Sequence, residues 1–204
     1  MYEDMIQILT SFPKHLDGKN CIQELKDNDY NWRQMEWAGW YNEYWMKKNL
    51  QLSEGNLYGK VRFDGLYHNF DIDYKAHNID NAILLGNDLE ATYKSIEKNG
   101  ALYLLVTNIK YTMDETGEFK KWHNELKGKK TKYVQKNEVN KRPSRMRKVS
   151  GEVQSICIYK ITKEILDKNA KVFQKGCVNS NGKIRKSKIS LNLDHIEPDV
   201  VILI

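Results

Sequence analysis

The segment Phe70 to His77 alternates without a break: Phe70, Ile72, Tyr74 and Ala76 fall on one side, Asp71, Asp73, Lys75 and His77 on the other. Such a period of two belongs to a β-strand, so this stretch demands a sheet with one apolar and one charged face. It also places Asp73 and Lys75 on one face, about 7 Å apart along the strand, with Asp71 beside them. Leu57 to Asp64 alternates as well, with Val61 and Phe63 opposite Lys60, Arg62 and Asp64, and Gly65 to Asn69 reads as a hairpin connection. If the hairpin pairs these strands, Asp64 reaches the same charged patch from the neighbouring strand.

The surrounding pattern predicts a mixed domain. Trp37, Trp40, Tyr41, Tyr44 and Trp45 recur at helical spacing, which predicts a helix over 32–49 with an aromatic core face. Glu36 and Glu43, seven residues apart, share a face of it. A helix is expected over 87–98, stopped by Asn99-Gly100, then a buried strand over 101–109 from its continuous apolar run. A loop at 112–117, a short helix at 118–127, and a basic loop or arm from Lys127 to Gly151 containing Pro143 follow. The C-terminal part reads as a strand at 153–160, a helix to Lys168, strand-like segments at 171–177 and 183–193, and a buried apolar tail at 199–204. Residues 1–31 offer a short apolar-periodic stretch, Met5 to Leu9, and a break at Pro13. The expected fold class is α/β (α+β), a central mixed β-sheet flanked by helices.

The 204 residues fit one domain, 1–204. The longest apolar run, Ala101 to Val106, is six residues, far short of the roughly 20 that span a membrane. No basic-then-apolar leader opens the sequence, and Cys21, Cys157 and Cys177 lack the spacing of a disulfide framework or zinc ribbon. The expectation is a cytoplasmic protein with no membrane partner. Charge is distributed unevenly. Lys127 to Lys148 holds ten bases and one acid, and Lys171 to Lys188 six bases and no acid, within a total of +6, so the remainder is acidic. Two basic blocks on a mildly acidic body are the electrostatic footprint of a polyanion binder.

Two or three carboxylates converging beside a lysine repel one another unless a cation sits among them, and Mg²⁺ needs only one or two protein carboxylates. A lysine there orients an attacking water or stabilises charge developing on phosphorus. Five acid-x-Lys tripeptides occur in the chain, but only Asp73-Tyr74-Lys75 lies in an alternating strand with another Asp one hairpin earlier. The helix bearing Glu36, then Val61-Arg62-Phe63-Asp64, Asp71-Ile72-Asp73-Tyr74-Lys75, a helix and the strand 101–109 together resemble the PD-(D/E)xK nuclease superfamily, and within it type II restriction endonucleases. Phe63 stands where the motif has proline, and Asp73 where Glu is commoner.

The resemblance covers roughly residues 32–109. It implies a catalytic core over about 32–111 followed by a basic DNA-binding and recognition part over about 118–204. It also implies a Mg²⁺ cofactor, double-stranded DNA as partner and a homodimer. By position, Asp64 matches the first metal-binding Asp, Asp73 the second acid, Lys75 the catalytic lysine and Glu36 the acid that some members add from a helix. Asp71 is an alternative or additional metal ligand. The implied activity is sequence-specific hydrolysis of phosphodiester bonds by a metal-bound water. The charge pattern nominates Lys129, Lys130, Lys132, Lys141, Arg142, Arg145, Arg147, Lys148, Lys183, Arg185 and Lys186 as DNA-binding residues. His77, on the Lys75 face, reads either as a phosphate contact or as a polar neighbour. The alternatives are a toxin or repair nuclease of the same fold, or a nucleic-acid-binding protein without catalysis, its hairpin merely charged.

Overall fold

The structure is a computed structural model that describes residues 2–128, 135, 139, 145–178, 182 and 184–204. In chain order its elements are α1 (Glu3–Leu9), β1 (His15–Asp17), α2 (Gly18–Asp27), α3 (Trp37–Leu50), β2 (Leu57–Tyr58), β3 (Val61–Arg62), β4 (Gly65–Tyr67), β5 (Phe70–Asn78), β6 (Ile83–Asp88), α4 (Leu89–Asn99), β7 (Leu102–Met113), α5 (Glu118–Lys127), β8 (Lys148–Ile161), α6 (Lys163–Asn169), β9 (Ala170–Phe173), β10 (Lys188–Asn192), a 3₁₀ turn (Leu193–His195) and β11 (Val200–Leu203). Among the described residues no helix is long and apolar enough to cross a membrane.

The expected mixed sheet flanked by helices is present. Its strand order is β1-β8-β7-β5-β4, with β11 on the same edge of β8 as β1. β5 and β7 run parallel, in register from Asp71 beside Leu102 to Asn78 beside Ile109. A parallel pair needs a crossover, and α4 is its helix. Asp88 caps α4 by accepting from Ala91 N at 3.0 Å, and Gly100, at φ +84°, ends it. The other pairings of this sheet are antiparallel.

Each face of the sheet carries a core. On one, Ile72, Tyr103, Leu105 and Ile156 pack against Leu9, Ile22, Leu25, Trp37 and Met46 of α1 to α3. On the other, Leu102, Leu104, Val106 and Ile161 pack against Ile96, Leu166 and the small sheet β6-β10-β9. Alternation along β5 therefore sends Ile72 and Tyr74 into the first core. It turns Asp71, Asp73, Lys75 and His77 toward the second, so the charged face is covered rather than solvated.

Several expectations are corrected. Leu57 to Asp64 is not one strand. Gly59 takes φ +65° and makes a two-residue turn between Tyr58 and Val61, so β2 and β3 form a hairpin of their own. Residues 65–67, expected as connection, form β4, and the turn is His68-Asn69, both at positive φ. α3 starts at Trp37 rather than at 32, because contacts with α5 hold the preceding turn: His123 Nε2 donates to Trp32 O at 3.0 Å and Arg33 Nη1 to Lys127 O at 3.1 Å. β8 starts at Lys148, inside the expected arm. The tail is only half buried: Ile202 is 5% exposed, but Leu203 is 80% exposed on the edge strand β11.

Candidate active site

Asp64 lies in the short link between β3 and β4, held from both sides. Phe63 beside it is buried and packs edge-on against Tyr58. Asp64 N donates to Ile72 O at 2.9 Å, and Tyr74 N donates to Asp64 Oδ2 at 2.8 Å. β4 pairs with β5 only as far as Ile72, so the carboxylate of Asp64 satisfies the next outward-facing N–H of β5. This fixes Asp64 next to Asp73, which is 2% exposed. Lys75 Nζ lies 2.6 Å from Asp73 Oδ2. That contact is an ion pair without the alignment of a hydrogen bond, since Asp73 Oδ2 is buried and lacks a hydrogen-bond partner of good geometry.

The electrostatics follow from this crowding. Burial, then the Asp73 carboxylate, then Glu43, push the Asp64 carboxyl up to about 8, against the opposing Tyr74 N–H. Burial alone favours the neutral amine of Lys75. The carboxylates of Asp73, Asp64 and Glu43 outweigh it and hold the ammonium above its ordinary value. Asp64, Asp73 and Lys75 are thus brought together as expected.

The structure supplies a different helix acid. Glu36 is at the N-terminus of α3, 2.8 Å from Lys148 Nζ and away from the carboxylate pair. Glu43, two helical turns on, is the acid whose charge reaches Asp64 and Lys75; it is held by Tyr30 OH at 2.7 Å and Lys47 Nζ at 2.6 Å. The shared helical face of Glu36 and Glu43 was the available signal, and the late start of α3 decides between them.

Asp71 is not free to bind a metal. Its Oδ1 accepts from Asn56 N at 2.7 Å and Asn56 Nδ2 at 3.0 Å; its Oδ2 accepts from Tyr58 OH at 2.7 Å, Ser95 Oγ at 2.7 Å and Asn99 Nδ2 at 3.0 Å. Five donors fill the lone-pair positions of one carboxylate. Asp71 is a fully buried tie between β5, the β2–β3 hairpin and α4.

Two adjacent carboxylates, that of Asp64 with its proton affinity raised, suit a hydrated Mg²⁺, which takes one or two protein carboxylates. Among the described residues no group of three or more His, Cys, Asp and Glu is placed to hold a metal. Two residues beyond Lys75, His77 is 8% exposed, its Nδ1 3.0 Å from Asn108 Oδ1 and its Nε2 without a partner. It lines a cavity of about 400 Å³ with Asp80, Asn81, Asn108, Tyr159 and Asp194.

Of the expected DNA-binding residues, Lys129, Lys130, Lys132, Lys141, Arg142 and Lys183 lie outside the described residues. Arg145, Arg185 and Lys186 are exposed, Lys186 3.6 Å from Asp88 Oδ2. Arg147 and Lys148, expected on an extended arm, are instead set into the body: Arg147 is 6% exposed, and Lys148 pairs with Glu36 and stacks 4.2 Å over the Tyr111 ring. No protein-family model, curated protein or solved structure matches this chain, so the geometry of the site alone carries the functional reading.

Proposed function

We propose that this protein is a Mg²⁺-dependent endonuclease of double-stranded DNA that works in the manner of the PD-(D/E)xK enzymes. The observation that carries the reading is the convergence of Asp64 and Asp73 from adjoining segments on one half-buried, ion-paired lysine, Lys75. Asp64 and Asp73 would hold the ion, with Glu43 adding negative charge behind them. When bound, Mg²⁺ neutralises the carboxylate pair and lowers the pKa of water. Lys75, kept charged by its carboxylate neighbours, donates to a phosphate oxygen or orients the attacking water. The two basic blocks would hold the duplex. More narrowly, the reading is a type II restriction enzyme that cuts a defined sequence as a homodimer.

A second reading has its own observation. Without a third ligand among the described residues, the Asp73–Lys75 pair would be a structural ion pair in a protein that binds nucleic acid without cutting it. The test is incubation with large unmodified DNA in Mg²⁺ or EDTA, alongside Asp73→Asn and Lys75→Ala. Discrete Mg²⁺-dependent fragments, lost in both variants while both remain folded, are the expected result. A smear with the same dependences keeps the site and favours the toxin or repair alternative. Intact DNA across modified and unmodified substrates, with tight binding, gives the case to the non-catalytic binder.

A further inference from the structure

A second cluster of charge lies at the other end of α3, where the start of β8 meets α5. Arg147 is 6% exposed, and its Nε and Nη1 are buried without a hydrogen-bond partner. The backbone fixes it there, Asp114 N donating to Arg147 O at 2.9 Å. Lys127, the last residue of α5, carries the field of Arg147 and of Arg33, whose Nη1 donates to Lys127 O at 3.1 Å. Burial, then those two cations, push Lys127 down to about 8. The nearby acids, Glu36 and Asp114, favour the Arg147 cation by their charge but make their contacts elsewhere. Asp114 accepts from Lys120 N at 2.8 Å and Phe119 N at 3.3 Å, and Glu36 pairs with Lys148. Among the described residues neither Arg147 nor Lys127 has an ion-pair partner. A buried cation with unmet donors is costly unless an anion completes it, and guanidinium donors match phosphate oxygens.

We infer that Arg147, Lys127 and Arg33 form a binding site for a phosphate group and, resting on the nuclease reading for its source, that this group belongs to the backbone of the bound duplex. Glu36 and Glu43 are about 10 Å apart along α3. The charge of Glu36 reaches Arg147 and that of Glu43 reaches Asp64, so the spacing of the two sites is within the span of one duplex.

The test uses inorganic phosphate and a duplex held uncut in EDTA, with Arg147→Gln, Lys127→Gln and, as control, the exposed Lys168→Gln. Phosphate at matched ionic strength is expected to raise the melting temperature of the wild type and of the control, but of neither site variant. Without phosphate, Arg147→Gln should melt within a few degrees of wild type, since it removes a cation that burial disfavours and whose Nε and Nη1 make no hydrogen bond. Duplex affinity should fall about tenfold in Arg147→Gln, with a salt slope shallower by about one. If both site variants keep the phosphate response and the duplex affinity, or lose stability while keeping both, the cluster is packing and the site is refuted, even where Mg²⁺-dependent cleavage is intact. If phosphate stabilises only proteins with Arg147 and Lys127 but the wild type binds no duplex, the phosphate site stands and the nuclease reading fails.

Discussion

Asp71 and Asp73 are two residues apart on one strand face, yet the structure gives them opposite tasks. Asp71 is saturated by five donors; Asp73 faces one ammonium and one raised carboxyl. Asp71→Ala would orphan Tyr58, Ser95, Asn56 and Asn99 together. It should cost about 3 kcal/mol or more, read as a fall in the denaturant midpoint. Asp73→Asn relieves like-charge crowding but leaves Lys75 without its ion-pair partner, so it should abolish cleavage at a smaller cost in stability than Asp71→Ala. An equal loss of stability in the two variants would make Asp73 structural as well. Asp64 adds a pH signature. Its pKa in the folded protein, about 8, lies above its ordinary value of 3.8, so folding takes up a proton. The stability this contributes is fully present below about pH 4 and is lost as pH rises through about 8. Asp64→Asn cannot titrate, so its melting temperature relative to wild type should climb between about pH 5 and about pH 9, and Mg²⁺ should shrink the difference by neutralising the wild-type carboxylate. A flat difference across that range would place the Asp64 carboxyl in the ordinary range.

At the scale of elements, two tight hairpins aim Asp64, and Gly55 sits beneath their junction. A Cβ on Gly55 would lie 2.6 Å from Phe63 O and 2.8 Å from Phe63 Cβ, so the backbone just before Asp64 would have to move. Gly55→Ala should lose more activity than stability: single-turnover cleavage should fall well beyond what a melting temperature a few degrees lower explains. Unchanged cleavage would mean that the position of Asp64 tolerates the shift. How much of this was legible varies by element. The alternation of β5, the Asn99-Gly100 stop of α4, the apolar run of β7 and the span of α5 were all readable, because each is a local pattern that its tertiary setting reinforces. The β2–β3 turn was not, because Gly59 sits inside a run that alternates across it. β6 was missed because Ile83 to Asp88 carries Gly86, which a strand reading discounts. Here, however, a Cβ at Gly86 would meet Ile189 Cγ1 at 2.4 Å, so the glycine is what lets β10 pack. The identity of the helix acid was half legible. Periodicity put Glu36 and Glu43 on one face, but only the contact of Trp32 with His123 on α5, far along the chain, shows where the helix begins.

For the whole molecule, the sheet separates two cores, and the carboxylate pair lies at the edge where β4 stops covering β5. The described ends of the basic blocks are anchored to this body at different places. The first returns beside the N-terminus of α3, through Lys148 and Glu36, and the second beside the N-terminus of α4, where Leu89 N donates to Ser187 O at 2.9 Å and Lys186 approaches Asp88. Two anchored basic regions on an otherwise acidic body make a specific demand on binding. If both touch the backbone of one duplex, about six phosphates are neutralised, and affinity should fall about a thousandfold between 50 and 200 mM salt. The carboxylate pair pulls the other way above about pH 8, where Asp64 ionises and Lys75 balances only one of the two charges. In EDTA at about pH 9, the double variant Asp64→Asn, Asp73→Asn should therefore bind duplex more tightly than wild type with the same salt slope. Ca²⁺ should close the gap by raising only the wild-type affinity. Equal affinities in EDTA would mean that the duplex does not pass over Asp64 and Asp73, and a slope near zero would mean that the basic blocks do not hold it.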